Sequence, residues 1–152
     1  MGSIGGVPVN THAGAPGEEI VKQKARDVGG KLLMVLDDLM IGIGQNFLDT
    51  IFTRGSHNWG VSVVLVTQHM FTKELRIARN NSHYLVLMRN PAGALQVRTL
   101  ATQLFPGRAE HFMEAYRDAT GKQFGYLVVD MHPENTTTNV TGGDKRTIIM
   151  FC

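Results

Sequence analysis

Lys31 to Asp38 reads KLLMVLDD: five apolar residues, Leu32 to Leu36, run straight into two adjacent carboxylates, Asp37 and Asp38. An unbroken apolar run of this length, preceded by Gly29-Gly30, predicts a buried central strand with charge appearing where it emerges. In open α/β sheets ligands bind beyond the carboxyl ends of the strands, so two acids at that edge can hold a metal ion and orient a water. A strand end followed by solvated acids is the plain alternative.

The flanking sequence supports a site. Asn46 to Arg54 places Phe47, Ile51 and Arg54 on one helical stripe, with Leu48 and Phe52 beside them, which predicts a crossover helix packed on the sheet. Gly55 to Gly60 is expected to break it. Val61 to Thr67, VSVVLVT, is the most β-branched segment and reads as a second buried strand. Strand, helix and strand over this length make a right-handed βαβ unit, so the two strands run parallel and Asp37-Asp38 and Thr67-Gln68 share one edge.

Elsewhere, Glu18 to Asp27 predicts a short helix with acids in front, bases behind and a glycine stop. Leu39 to Gly44 is expected as a turn and Met70 to Ala78 as a helix. Tyr84 to Met88 reads as a third strand, Ala92 to Phe105 and Arg108 to Ala119 as helices, and Phe124 to Val129 as a fourth strand ending at Asp130. Asn135 to Thr141 is a polar linker, and Arg146 to Phe151 a last strand expected at an edge. Residues 1–17, rich in Gly, Pro, Ala and Thr, are read as a flexible N-terminal segment, and residues 18–152 as one α/β domain. The expected fold is a mainly parallel sheet flanked by helices.

The 152 residues suffice for a single core, and 43% hydrophobic against 18% charged residues excludes a chain kept disordered by polarity. A net charge of +2 neither demands nor forbids nucleic acid. The single cysteine, Cys152, rules out an intrachain disulfide and a thiolate zinc site, and predicts a reducing intracellular setting, whether cytoplasm, nucleus or virus-associated. No apolar run is long enough for a membrane span. The six histidines form neither HxxxH nor HExxH.

At a nucleotide site on a sheet edge, one carboxylate after a buried strand helps hold Mg²⁺ and its neighbour polarises the attacking water. Asp37 suits the first role and Asp38 the second. Gln68 follows the next strand, where an amide can hydrogen-bond phosphate oxygen and water together; a strand-end cap is its plain reading. Arg54 leaves its helix at a glycine, so it can reach a neighbouring subunit's nucleotide as an arginine finger, or simply face the helix dipole. Arg76, Arg79, Arg89 and Arg98 are candidates for DNA phosphate or a subunit boundary, with solvated surface as the alternative.

LLMVLDD resembles the Walker B strand, and FTRGSHNWGVSVVLVTQHMF the following helix, loop and sensor strand, of the FtsK/HerA-type DNA-packaging and DNA-translocating ATPases of large DNA viruses and Polinton-like transposons. NNSHYLVLMRNP and DATGKQFGYLVVDMHP are similar to later strands of that group, so the resemblance spans nearly the whole chain. It implies a RecA-like (ASCE) P-loop NTPase core, Mg²⁺ and ATP as cofactors, assembly as a homo-oligomer or with a complementing ATPase subunit, and double-stranded DNA as a partner.

The departures are specific. A phosphate-binding loop needs GxxxxGK followed by Ser or Thr. Gly30-Lys31 has Ala25 at the first glycine and Leu32 for the hydroxyl residue; Gly121-Lys122 has Tyr116 and Gln123 there. Where the group often carries an acid and an arginine after Asn-Pro, this chain has Ala92-Gly93. The resemblance therefore implies a partial core, inactive alone, whose lost central strand leaves an exposed sheet edge prone to self-association. A non-catalytic interaction or assembly module and a receiver-like doubly wound domain are the other classes compatible with an acidic pair at a strand end.

Overall fold

The computed structural model describes residues 2–37, 44–132 and 147–151. A β-hairpin, β1 (Gly2–Ile4) and β2 (Val7–Val9), opens the chain. The flexible segment expected there thus contains an antiparallel pair. Gly5 and Gly6 have φ of 59° and 82°, the pair of positive values that a two-residue hairpin turn requires. Helix α1 (Glu18–Asp27) follows with Glu18 and Glu19 in its first turn and Lys24 and Arg26 in its last, as the sequence predicts.

The main sheet has the order β3-β4-β7-β5-β6, with β3 (Leu32–Asp37), β4 (Val61–Thr67), β5 (Tyr84–Met88), β6 (Tyr126–Asp130) and β7 (Thr147–Phe151). It is α/β and mostly parallel; among the described strands of this sheet only β6 runs against its neighbour. Two helices explain that reversal. After β5, which follows α4 (Arg76–Asn80), a 3₁₀ turn (Pro91–Gly93), α5 (Ala94–Leu104) and α6 (Ala109–Thr120) carry the chain out and back, so β6 begins at the edge where β5 ended.

Strand order overturns two expectations. β3, expected at the centre, is an edge strand whose Leu33 and Val35 are 62% and 57% exposed, and only Leu36 in it is buried. β7, expected at an edge, lies between β4 and β5 and is parallel to both. A continuous apolar run shows that a strand is apolar on both faces; it does not rank the strands within the sheet. The connections do. Crossovers from β3 to β4 and from β4 to β5 move in one direction and leave one strand's width between β4 and β5, which β7 fills. The centre of the sheet is therefore closed, and its edges are β3 and β6.

Right-handed crossovers that all advance in one direction put their helices on one face. Accordingly, the buried residues of the sheet, Leu36, Val61, Val63, Leu65, Thr67, Leu85, Leu87, Val129 and Phe151, share one face by register and join the helices in a single core. Phe52, Ile51, Leu48, Leu75, Val97, Leu100, Met113 and Tyr116 supply the helical side of that core. The opposite face carries Leu33 and Val35 at one edge and Tyr126 and Val128 at the other, 58% and 47% exposed, with Val64, Val66, Val86 and Met150 partly buried between them.

The helix after β3 is longer than expected. α2 (Gln45–Thr50) continues through a π-helical turn (Ile51–Gly55) into α3 (Ser56–Asn58). Gly55 does not break it: its φ of −63° is helical, and a Cβ there would sit 3.0 Å from Ile51 Cδ1. The glycine serves packing, while the Thr53 hydroxyl donates to the Asp49 carbonyl (2.5 Å) and Ser56 Oγ to that of Phe52 (3.2 Å) along the irregular turn.

Candidate functional site

The parallel register pairs Leu32 with Val61 and Asp37 with Val66, so β3 and β4 end at the same edge. Gln68 stands two residues beyond Val66, which puts the backbones of Asp37 and Gln68 about 8 Å apart across neighbouring strands. Both residues are exposed, and Asp37 shares the uncovered face with Leu33 and Val35. Asp38 lies outside the described residues, as does nearly all of the turn expected at Leu39 to Gly44.

The chain after β4 is held by side chains from far along the sequence. The Thr67 hydroxyl accepts from the His69 N–H (3.0 Å) and donates to the His69 carbonyl (3.2 Å), which folds the strand end into a turn. Thr67 is buried, and its hydroxyl proton is committed to that turn. Gln96 on α5 then grips the loop with both ends of its amide. Its Oε1 accepts from the Met70 N–H (2.8 Å), and its Nε2 donates to the Gln68 carbonyl (3.5 Å). Arg79 donates from Nη1 to the Met70 carbonyl (2.9 Å) and lies 4.4 Å from the Phe71 ring centre. Burial, with the Arg76 charge nearby, pulls the Arg79 pKa below the usual arginine value. Gln96 and Arg79 thus position the backbone of Gln68, and nothing in their spacing announced it.

The next strand end is braced similarly. Tyr116 Oη donates to the Met88 carbonyl (2.9 Å) and accepts from the Asn90 N–H (3.2 Å), while Asn90 Oδ1 accepts from the Gly93 N–H (2.9 Å). Gly93, at a position where the resembled group often has a charged residue, is confined by the sheet: a Cβ would lie 2.5 Å from Phe151 Cζ.

Arg54 is exposed and helical, and sits well along the segment that descends from the carboxyl edge toward the start of β4. The fold does not bring it to Asp37 and Gln68 of its own chain. Two of the arginines considered for DNA are engaged internally: Arg79 as above, and Arg98 in an ion pair with Glu110 whose hydrogen bond lowers the Glu110 pKa.

At the opposite end of the sheet the fold gathers three histidines that no sequence motif linked. The His83 ring lies 6.3 Å from that of His57 and 4.8 Å from that of His132, and His132 Nδ1 is 2.7 Å from Asp130 Oδ1. Among the described residues no group of three His, Cys, Asp or Glu side chains is arranged to hold a metal ion.

Mg²⁺ keeps several waters and takes one or two carboxylates together with substrate phosphates. Asp37 offers one such ligand at an open edge. The sequence contains no glycine-rich lysine loop to cradle the phosphates. The described residues therefore do not by themselves fit a Mg–nucleotide site; Asp37 is one exposed carboxylate at the sheet edge. No helix among the described residues is long and apolar enough to cross a membrane. No family model matches the chain, and the searches of curated proteins and of solved structures return no match.

Proposed function

We propose that this chain contributes the carboxylate and sensor strands of a RecA-like DNA-packaging or DNA-translocating ATPase of the FtsK/HerA type, with the phosphate-binding loop supplied from outside these 152 residues. The observation that carries this reading is the parallel pairing of β3 with β4, which brings Asp37 and Gln68 to the same sheet edge, their backbones about 8 Å apart. Asp37, with Asp38 beside it in sequence, would hold Mg²⁺, which when bound with ATP neutralises charge on the phosphate oxygens. Asp38 would orient the attacking water. Gln68, its backbone fixed by Gln96, would hydrogen-bond that water or a phosphate oxygen. Arg54, distant from its own chain's edge, could serve only a neighbouring subunit's nucleotide. Double-stranded DNA would be the polymer moved, in an assembly of identical or complementing subunits.

A second reading, a non-catalytic assembly module, is favoured by one observation: the apolar sheet face that no described helix covers. Isothermal titration separates the two. The ATPase reading predicts weak heat of binding at millimolar Mg-ATP that Asp37→Asn removes, with no turnover by the chain alone. No binding at that concentration would withdraw the ATPase reading and leave the assembly module.

A further inference from the structure

Monomeric proteins protect their edge strands with a central lysine, a proline, a bulge or very short length. β3 has none of these between Lys31 and Asp37: LLMVL is regular, apolar and paired on one side only, and among the described residues no strand runs along its outer edge. The other edge differs in its ends. β6 closes on Asp130, and no cation stands at its start, where Gly125 precedes Tyr126.

The hydrogen-bond directions restrict how β3 can be extended. The Leu32 N–H bonds the Gly60 carbonyl (3.3 Å), so Leu32, Met34 and Leu36 turn their backbone groups toward β4. Leu33, Val35 and Asp37, and Lys31 before them, turn theirs outward. An antiparallel partner must set outward-facing residues opposite outward-facing residues, which excludes every one-residue slip.

Charge then selects among the registers that remain. Lys31 and Asp37 are exposed and stand about 20 Å apart at the two ends of the strand. We propose that β3 pairs antiparallel with β3 of a second copy of this chain, Lys31 of each opposite Asp37 of the other. Leu33 then faces Val35, Leu32 faces Leu36, and Met34 faces its own equivalent. A two-residue slip in one direction sets Lys31 opposite Val35, and in the other sets Leu33 opposite Asp37; both lose the two ion pairs. The stretch is self-complementary in one register only. Opposite residues keep the same face, so the two open apolar faces join into one continuous surface. The inference does not rest on the ATPase reading, since pairing is carried by backbone groups and apolar side chains and persists when no nucleotide binds.

Sedimentation equilibrium of the full chain, with no nucleotide, tests it. The wild type is expected to be a dimer. Lys31→Asp or Asp37→Lys alone sets like charges opposite one another twice per dimer and should raise the dimer dissociation constant about tenfold or more, while the double exchange Lys31→Asp/Asp37→Lys restores it to within about threefold. Val35→Pro removes an outward N–H that β4 does not use and should abolish the dimer, with circular dichroism confirming the monomer's fold. A monomer at all concentrations overturns the proposal. So does a dimer that Val64→Lys on the open face breaks and the charge reversals leave intact, which would mean that the copies stack face to face.

Discussion

Phe151→Ala should destabilise the protein by about 3–5 kcal/mol, the usual range for emptying a buried phenylalanine site. Phe151 is fully buried and ends β7, the strand paired on both sides. Its ring closes on Gly93 at the turn after β5, so its removal opens a void between the sheet and α5 that backbone on two sides keeps from collapsing. For a chain of this length the loss corresponds to a fall in Tm of roughly 6–20 °C. Phe124→Ala is the control: Phe124 is 81% exposed, and its loss should change stability by less than about 0.5 kcal/mol. Urea unfolding of the two variants checks the difference. Were β7 an edge strand, as the sequence leads one to expect, the two would be far closer.

Gly60→Ala should cost about 2–5 kcal/mol, from two causes that add. Gly60 has φ of +73°, where a side chain is strained, and a Cβ there would lie 2.6 Å from both the Cα and the carbonyl oxygen of Gly30. Neither is the end of a flexible side chain, so backbone must move. The approach of these two glycines brings the starts of β3 and β4 together and precedes the Leu32 to Gly60 hydrogen bond, the first rung of the ladder that aligns Asp37 with Gln68. Gly107→Ala isolates the clash: Gly107 has φ of +78° but open space around it, so it should lose only the conformational part, about 1 kcal/mol. Chemical denaturation of both variants gives the comparison.

These residues also show what was legible in the sequence. The apolar runs gave β3, β4 and β5 at their observed bounds, because side-chain period and length are local. The βαβ spacing gave the parallel direction of β3 and β4 and the shared edge of Asp37 and Gln68. Strand order was not legible. It depends on which gap the connections leave, and TIIMF carries no mark of a central strand beyond its apolarity. Gly55 differs for the opposite reason: locally a breaker, it is helical, and it is glycine because Ile51 and Trp59 pack where a side chain would be. The grip of Gln96 and Arg79 on the loop after β4 joins residues far apart in sequence, as does the histidine cluster, and neither follows a periodic pattern. The Asn135 to Thr141 linker lies outside the described residues.

The proposed half-site of Asp37 and Gln68 for Mg–nucleotide can be tested in solution. Its most direct test replaces Mg²⁺ with paramagnetic Mn²⁺ and follows backbone amide resonances as Mn²⁺-ATP is added in substoichiometric amounts. Broadening should centre on residues 37 and 68, and Asp37→Asn should abolish it. Broadening spread over the exposed acids of α1 and α6, or unchanged in Asp37→Asn, would contradict the claim.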